Sequence, residues 1–499
     1  MSSIKPTASL NVVMAASEAV PYAKTGGLAD VVGVLPIELI KLGHRVTLVL
    51  PCYPQLASVR RSAKSVGQFR VPGLGITADV VLEEELVPVA GAAHPLRVLA
   101  VRYDPYFDRQ GLYQTRGADY PDNLDRFVLF SRGVLEALAY VAKADGRAVD
   151  VLHLHDWQTA LCAVYVKTVD RDRKAFKGLK TLLTLHNVGY QGIFPGDQYK
   201  KTMLPPALFA VGGLEFYGSV NVLKGGIIFS DAVSTVSPTY AREIMTPEFG
   251  FGLEGVLVGR KDGVHGILNG IDVAEWNPET DPHGAAHYSR SDLSGKLVCK
   301  RALQREFGFP VSDVPLLGVI GRLAFQKGFD LLADVIPELM MMDLQLVLLG
   351  EGDRGLEDAF RAAQKQYPKQ IGLYIGFDER LAHRIESGAD MLVMPSRYEP
   401  CGLSQLYSLR YGTVPIVRRT GGLADTVVPY KPSTVQSGHA SGFQFIDPSA
   451  DALLSEILLA TTLYRDRKTW GQLIQAGMAT DVSWSHAAIQ YAQLYERLV

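Results

Sequence analysis

The sequence predicts an α/β protein with two Rossmann-like domains that face a common cleft. Its 499 residues, 47% of them hydrophobic, are more than one core normally organises. Short apolar runs alternate with helix-like segments along the chain, which is typical of parallel sheets. The stretch Thr-Gly-Gly-Leu-Ala-Asp occurs twice, at 25–30 and at 420–425, each time between a strand-like run and a helix-like run.

The first half of the chain opens with a βαβ unit. Residues 11–16 form a short apolar run that predicts a buried strand. Residues 29–42 have helical spacing and end at Gly43, a favourable helix terminator, and residues 45–50 predict the next strand. Further strands are predicted at 96–101, 149–154, 181–185 and 232–236.

Three segments depart from this alternation. Residues 79–89 are strand-like but more polar, which predicts a hairpin at the edge of the sheet. Residues 111–125, rich in Tyr, Asp and Gly, predict a long surface loop. Polar residues and prolines between 269 and 287 predict a linker, so we expect the domain boundary at residue 268.

The second half predicts a second βαβ series and a final amphipathic helix at 484–498. Its strands are expected at 316–320, 344–349, 371–375, 391–394 and 414–417.

Composition argues against several classes of partner and cofactor. A net charge of −2 gives no reason to expect a nucleic acid or an anionic membrane. The four cysteines are scattered without a CxxC pair, so neither a zinc site nor a disulfide framework is indicated. The N-terminus at residues 1–10 is polar and lacks the apolar region of a signal peptide, and no run reaches the length of a membrane span. We therefore expect a cytoplasmic location, or the plastid stroma if a transit peptide was removed.

The repeated glycine stretch is a candidate ligand loop in both halves. Paired glycines let the backbone approach a ligand closely, and N–H groups at a helix N-terminus favour phosphate or polar oxygens. The first copy supplies Gly26 and Gly27 directly after Lys24, and the second supplies Thr420 and Gly421. One copy alone could equally be a tight turn, whereas two copies favour two loops that face one cleft.

Polar residues follow two predicted strands of the first half. In parallel sheets, ligands bind beyond the carboxyl ends of the strands. Asp156 lies between His155 and Trp157 after one strand, where a carboxylate and an aromatic ring suit a sugar. His186 and Asn187 follow the next strand. A metal on His153 and His155 is not expected, because no third ligand lies nearby in the sequence.

Cations follow the first strand of the second half. Arg322 and Lys327 lie five residues apart and make a plausible diphosphate clamp, with Gln326 between them. After the next strand, Gly350 permits close approach of a nucleotide. Phe377 follows a third strand and either stacks on a base or belongs to the core.

A carboxylate precedes the last of these candidate loops. Glu399 comes before a Pro-Cys-Gly turn that we expect to open a helix. The turn contains Cys401, Gly402, Leu403 and Ser404. Its N–H groups would bind an anion or a sugar oxygen, and the carboxylate would accept hydrogen bonds from hydroxyls.

Taken together, these motifs resemble bacterial glycogen synthases and plant-type starch synthases. The resemblance covers nearly the whole chain, and the combination is specific although each piece is not. The motifs are KTGGLAD at 24–30, HxHDW at 153–157, TLHN at 184–187, GRLxxQKG at 321–328, PSRYEPCGL at 395–403 and RRTGGLADTV at 418–427.

The resemblance implies the glycosyltransferase-B fold, with the last helix crossing back onto the first domain. An acceptor and catalytic domain would then comprise 1–268 with 484–499, and a nucleotide-sugar-binding domain 269–483. It also implies transfer of glucose from ADP-glucose, or UDP-glucose, to the non-reducing end of an α-1,4-glucan or maltooligosaccharide. Such enzymes retain the anomeric configuration and use neither a metal nor another cofactor.

The same resemblance implies roles for six residues. Lys24 would contact the donor phosphates across the closed cleft, and Arg322 and Lys327 would neutralise the departing diphosphate. Glu399 would bind glucose hydroxyls, and Asp156 would bind hydroxyls of glucose or of the acceptor. His186 would lie beside the anomeric carbon and stabilise the charge that develops there. The nucleotide sugar would also meet Gly26, Gly27, Asn187, Gln326, Gly350, Phe377, Cys401, Gly402, Leu403, Ser404, Thr420 and Gly421.

This chain departs from related patterns at three positions. Tyr407 stands where other retaining transferases carry the second glutamate of a Glu-x7-Glu pair, which favours the glycogen and starch synthase branch. Ser404 replaces a common Thr, and Phe377 a common Tyr.

Three other functions stay open at this point: a transferase with a small-sugar acceptor, an inactive glucan-binding or nucleotide-binding regulator, and a dinucleotide dehydrogenase. The absence of GxGxxG after the first strand counts against the dehydrogenase. The oligomeric state is not predicted.

Overall fold

The computed structural model describes residues 9–56, 63–71, 79–115 and 117–499, and the chain divides into two compact α/β units. The first unit comprises Met1–Val236, Ala241–Asn269 and Trp484–Val499. The second comprises Ser237–Tyr240 and Gly270–Ser483. The predicted class, two α/β units built on parallel strands, is confirmed.

The first unit is organised by a nine-stranded sheet in the order β14-β13-β9-β8-β1-β2-β5-β4-β3. A ribbon of β6 and β7 and a three-stranded sheet in the order β10-β12-β11 accompany it. The strands are β1 Asn11–Ala15, β2 Arg45–Pro51, β3 Lys64–Phe69, β4 Val80–Val87, β5 Leu96–Arg102, β6 Gln114–Thr115, β7 Ala118–Asp119, β8 Val151–His155, β9 Lys180–Leu185, β10 Ile193–Pro195, β11 Glu215–Phe216, β12 Ser219–Asn221, β13 Ala232–Thr235 and β14 His265–Gly266.

Strand β1 lies at the centre of this sheet, paired in parallel with β2 and β8. All five of its residues are buried, as expected for a parallel strand covered by helices on both faces. The helices of this half of the chain are α1 Gly27–Lys41, α2 Asp104–Phe107, α3 Asn123–Ala144, α4 Trp157–Lys167, α5 Val222–Phe229, α6 Pro238–Glu243 and α7 Glu254–Val258.

The predicted edge hairpin at 79–89 was wrong in its position. Strand β4 pairs antiparallel with β5 on one side and with β3 on the other, so it lies inside the sheet. The edge strand is β3, which the sequence did not predict. Its Lys64 and Ser65 are exposed, and its six residues are only partly covered or exposed, so it lacks an apolar run.

The predicted surface loop at 111–125 was also wrong in part, because it contains the β6–β7 ribbon and the start of α3. A buried guanidinium lies beneath it. Arg126 donates hydrogen bonds to the carbonyl oxygens of Tyr106 and Leu112, at 2.8 and 2.9 Å, and to Asn123 Oδ1 at 2.7 Å. These bonds fix the segment to the body of the unit.

The second unit contains a six-stranded, fully parallel sheet in the order β17-β16-β15-β18-β19-β20. Its strands are β15 Leu316–Ile320, β16 Gln345–Gly350, β17 Ile371–Ile375, β18 Met391–Met394, β19 Val414–Arg418 and β20 Phe443–Phe445. Its helices are α8 Ser294–Glu306, α9 Phe329–Met340, α10 Arg354–Gln366, α11 Glu379–Gly388, α12 Ser404–Tyr411, α13 Gly421–Thr426, α14 Pro432–Gln436, α15 Ala450–Tyr464 and α16 Arg467–Ala479.

The segment 269–287 is not the open linker that its polar composition predicts. Trp276 is 7% exposed, and its ring is stacked between His383 and Tyr407 at centroid distances of 3.8 and 3.7 Å. Asp281 is buried and accepts a hydrogen bond from the Tyr411 hydroxyl at 2.6 Å. The segment is therefore part of the packed second unit, and Tyr407, one of the three departures noted above, stacks on its tryptophan.

The final helix, α17 Trp484–Leu498, has the predicted bounds and belongs to the first unit, where it packs on α1. Its Tyr495 hydroxyl lies 2.7 Å from His153 Nδ1 on β8, and both side chains are fully buried. Among the residues that the structure describes, no helix is both long and apolar enough to cross a lipid bilayer.

The Tyr495–His153 bond predicts a stability difference between two Tyr-to-Phe variants. Tyr495→Phe leaves a buried imidazole nitrogen without its partner, and we expect a loss of about 1–3 kcal/mol in the free energy of unfolding. Tyr53 is equally buried, and its hydroxyl has no hydrogen-bond partner within the described ranges, so Tyr53→Phe removes no bond. Urea unfolding of both variants measures the difference, and equal losses would contradict the assignment.

Candidate functional site

The second unit carries a pocket of about 160 Å³ at the carboxyl ends of β15 and β18, which are neighbours in its sheet. Arg322 and Lys327, on the loop after β15, and Glu399, on the loop after β18, all line it. The full lining consists of Ile320, Gly321, Arg322, Lys327, Phe329, Val393, Met394, Ser396, Glu399, Gly402, Leu403 and Ser404. Two cations and one carboxylate therefore converge where the parallel-sheet rule expects a ligand.

An ion pair connects two of these side chains. Lys327 Nζ lies 2.6 Å from Glu399 Oε2, and the Ser396 hydroxyl donates to the same oxygen at 2.9 Å. The Glu399 residue is 6% exposed, so its carboxylate is removed from bulk water and depends on these donors. An anion that binds Lys327 has to compete with Glu399 for the ammonium group.

The second glycine repeat supports the loop that carries Glu399. Gly421 has φ +44, and a Cβ atom there would overlap the carbonyl oxygen of Glu399. The Gly422 N–H donates to the carbonyl oxygens of Glu399 and Pro400, both at 3.1 Å. Asp425, at the end of the repeat, accepts hydrogen bonds from the backbone N–H and hydroxyl of Thr239 at 2.8 and 2.6 Å. Glycine is required here for close packing of two protein loops.

Gln326 and Gly350 hold neighbouring loops together. The Gln326 carbonyl oxygen accepts a hydrogen bond from the Arg397 N–H at 2.8 Å, which joins the loops after β15 and β18. A Cβ atom at Gly350 would overlap the carbonyl oxygen of Gly321, so this glycine allows the two strand ends to approach.

The remaining candidates of the second unit lie at turns and helix starts. Phe377 is 76% exposed, so the alternative that it belongs to the core was wrong. Helix α12 begins at Ser404 after Leu403, as the Pro-Cys-Gly turn predicts. Cys401 is buried beneath the turn, and Gly402 has φ +72, a backbone conformation that favours glycine. Thr420 is the N-cap residue of α13.

In the first unit, Asp156 organises the loops that follow β8 and β9. It has φ 55, in the left-handed region, at the N-cap of α4. Its carboxylate accepts hydrogen bonds from the backbone N–H groups of His186, at 2.7 Å, and Asn187. Burial, together with the nearby negative charge of Glu18, raises the pKa of Asp156 to about 7, although the two N–H groups oppose this shift.

Three histidines lie side by side at these strand ends. His153 bonds to Tyr495 through Nδ1 and to the Thr184 hydroxyl through Nε2, at 2.7 and 2.6 Å. His155 Nδ1 lies 2.9 Å from His186 Nε2. In the described part of the chain, no three or more His, Cys, Asp or Glu side chains are grouped to hold a metal ion.

The first glycine repeat meets a carboxylate that the sequence did not predict. The N–H groups of Thr25 and Gly26 both donate to Glu18, which also accepts a hydrogen bond from the Tyr113 hydroxyl at 2.8 Å. Burial raises the pKa of Glu18. Lys24 forms an ion pair with Asp30 at 2.8 Å. Gly27 is the first residue of α1, directly after this carboxylate-bound turn.

The raised pKa of Asp156 predicts a pH-dependent contribution to stability. An acid with a raised native pKa contributes most favourably below its unfolded pKa, and this contribution is lost as the pH rises towards the native value. Between about pH 4 and pH 7, wild type should therefore lose unfolding free energy relative to Asp156→Asn, by at most about 1.4 kcal/mol per pH unit.

Urea unfolding at pH 4, 5.5, 7 and 8 tests this expectation. Asp172→Asn, on a side chain that is 91% exposed, is the matched surface control. If the difference in unfolding free energy between wild type and Asp156→Asn stays constant across this pH range, the raised pKa of Asp156 is contradicted.

Two family models match the chain. Residues 11–259 match the starch synthase catalytic domain, and residues 300–475 match the glycosyl transferases group 1.

Whole-chain relatives agree with these matches. Glycogen synthase from Koribacter versatilis is 44% identical over 488 residues, which cover 98% of this chain and 98% of the relative. Glycogen synthase from Syntrophotalea carbinolica is 44% identical over 491 residues, covering 98% and 99%.

Solved structures have a similar fold. The catalytic domain of starch synthase IV from Arabidopsis thaliana, bound to ADP and acarbose, is 33% identical, with a TM-score of 0.86 and coverage of 98% of this chain and 99% of that one. Sucrose-phosphate synthase from Thermosynechococcus elongatus is 17% identical over the same shares, and its TM-score of 0.59 shows a common fold.

Proposed function

The chain belongs to the glycogen and starch synthase family of glycosyltransferases, and we propose that it transfers glucose from ADP-glucose to the non-reducing end of an α-1,4-glucan. The observation that carries this proposal is the pocket of the second unit, which combines Arg322 and Lys327 with Glu399. Two cations suit a diphosphate, and a carboxylate suits sugar hydroxyls. A nucleotide diphosphate sugar carries a diphosphate directly beside the hydroxyls of its sugar.

The choice of donor and acceptor rests on the relatives. The catalytic domain of starch synthase IV, at 33% identity, was solved with ADP and acarbose bound. The bacterial relatives are named glycogen synthases, and the match to this chain covers essentially their whole length. We therefore propose ADP-glucose rather than UDP-glucose as the preferred donor, and a glucan rather than a small sugar as the acceptor. We also propose a location in the bacterial cytoplasm.

The proposed chemistry needs no metal. Arg322 and Lys327 supply positive charge where the diphosphate leaves, which stabilises charge that develops in the transition state. The bond between the anomeric carbon and the phosphate oxygen breaks while the acceptor hydroxyl bonds to the same face of the sugar. The acceptor proton moves to the departing phosphate oxygen. The configuration is retained because the new bond forms on the face from which the phosphate departs.

The first unit contributes the groups that orient the sugar. Asp156 binds the backbone of His186 and Asn187, so the loop that we place beside the anomeric carbon is fixed before the substrate arrives. Lys24 is the proposed phosphate ligand of this unit. Glu18 binds the backbone N–H groups of the first glycine repeat, and we assign it the role of holding that loop.

Glucan growth from labelled ADP-glucose is the direct test of this function. We expect incorporation into maltooligosaccharide and glycogen, weaker incorporation from UDP-glucose, and unchanged rates in excess EDTA. Free glucose as acceptor and NAD-dependent oxidation serve as controls for the alternatives. Activity that EDTA abolishes and Mg²⁺ restores would overturn the metal-free mechanism, and transfer to glucose alone would overturn the glucan acceptor.

Lys327→Ala should lower kcat by about 10²–10³-fold, because it removes one preorganised charge from the leaving-group site. Lys365→Ala, on the exposed surface of α10, is the matched control and should keep the wild-type rate.

Glu399→Gln should also impair transfer, because it removes the charged acceptor for sugar hydroxyls and the partner of Lys327. Steady-state kinetics with ADP-glucose separate kcat from KM. Wild-type rates in both pocket variants would show that the donor binds elsewhere.

A further inference from the structure

The His155–His186 contact carries one inference beyond the proposed reaction. We infer that His155 is a positioning residue that fixes His186 in the tautomer with its proton on Nδ1. The inference about the tautomer stands on the structure alone, and its consequence for catalysis rests on the proposed function.

The contact joins two adjacent strand ends. His155 is the last residue of β8, and its register partner on β9 is Thr184, two residues before His186. His155 Nδ1 and His186 Nε2 are 2.9 Å apart, a normal hydrogen-bond distance. Because both groups are ring nitrogens, one of them has to carry the shared proton and the other has to accept it.

The environment of the other His155 nitrogen decides which ring donates. His155 is fully buried, and its Nε2 has no hydrogen-bond partner in the part of the chain that the structure describes. A proton on Nε2 would leave a buried N–H group without an acceptor, which is rarer in proteins than an unused acceptor. The proton therefore belongs on His155 Nδ1, and His155 donates to His186 Nε2.

The neighbouring groups support a neutral pair. Burial lowers the pKa of both His155 and His186, the latter to about 3, so neither ring carries a second proton at neutral pH. His153, whose ring lies 4.2 Å from that of His155, already has partners on both nitrogens. It therefore does not compete for the shared proton.

The consequence is a defined donor on the partly exposed side of His186. Because its Nε2 accepts from His155, a neutral His186 has to carry its own proton on Nδ1. Within the described ranges this Nδ1 atom takes part in no hydrogen bond, so its N–H is available to a sugar oxygen. Without His155 the ring could adopt the other tautomer, which free imidazole side chains favour, and would then present a lone pair.

Two variants separate hydrogen bonding from packing. His155→Leu removes the donor, whereas His155→Asn retains an amide N–H close to the position of Nδ1. Tyr495→Phe is the matched control, because it disturbs the neighbouring His153 but leaves the His155–His186 bond intact.

Nitrogen NMR of ring-labelled histidine at neutral pH reads the tautomer without substrate, and His186→Gln identifies the signal. We expect the Nδ1–H form of His186 in wild type, His155→Asn and Tyr495→Phe, and mainly the Nε2–H form in His155→Leu. By analogy with other residues that orient a functional histidine, kcat/KM for transfer should fall about 10- to 100-fold in His155→Leu. His155→Asn should recover most of this loss.

An Nε2–H form of His186 in wild type would overturn the inference, and so would an unchanged tautomer in His155→Leu. Equal losses of activity in the Leu and Asn variants, with the tautomer preserved, would show a packing role instead. If wild type transfers no glucose from any donor, the proposed function fails, whereas the NMR result still decides the tautomer.

Discussion

Parallel pairing brings the carboxyl ends of the paired strands to one edge of a sheet, and the loops there need partners for backbone N–H groups that the sheet does not satisfy. In the first unit, carboxylates meet this need: Asp156 binds the N–H groups of His186 and Asn187, and Glu18 binds those of Thr25 and Gly26. The geometry of the candidate site thus depends on buried acids. Burial raises the pKa of both, which couples the site to pH.

The sequence predicts strands well where both faces are buried. The runs at 316–320, 371–375 and 391–394 match β15, β17 and β18 to the residue, because a covered parallel strand is continuously apolar. It predicts poorly where structure depends on distant partners. Edge strand β3 has no apolar run, and Trp276 is buried only because His383 and Tyr407, more than 100 residues away, stack on it.

The residues of the candidate site also fall into those that the sequence predicts and those that it does not. Lys327 and Glu399 could be proposed from their places after strands, and the structure puts them 2.6 Å apart. Glu18 was missed because its role depends on the chain folding back seven residues onto Thr25. The glycine repeat shows that the same sequence motif can make different contacts in two places. The same six residues meet a carboxylate in the first unit, whereas in the second Gly421 packs against the carbonyl of Glu399.

The Lys327–Glu399 pair is a poor device for stability, because removing two charges from water costs about as much free energy as their attraction returns. Its value lies in preorganisation. Ser396 and the glycine-supported loop hold Glu399 in place. In the proposed reaction, an incoming diphosphate would bind Lys327, and the carboxylate would then accept hydrogen bonds from sugar hydroxyls. A ligand with only one of these groups breaks the pair and leaves one charge uncompensated. If the proposed donor site is correct, we therefore expect the pocket to prefer a molecule that carries both a phosphate and a sugar over free phosphate or free glucose.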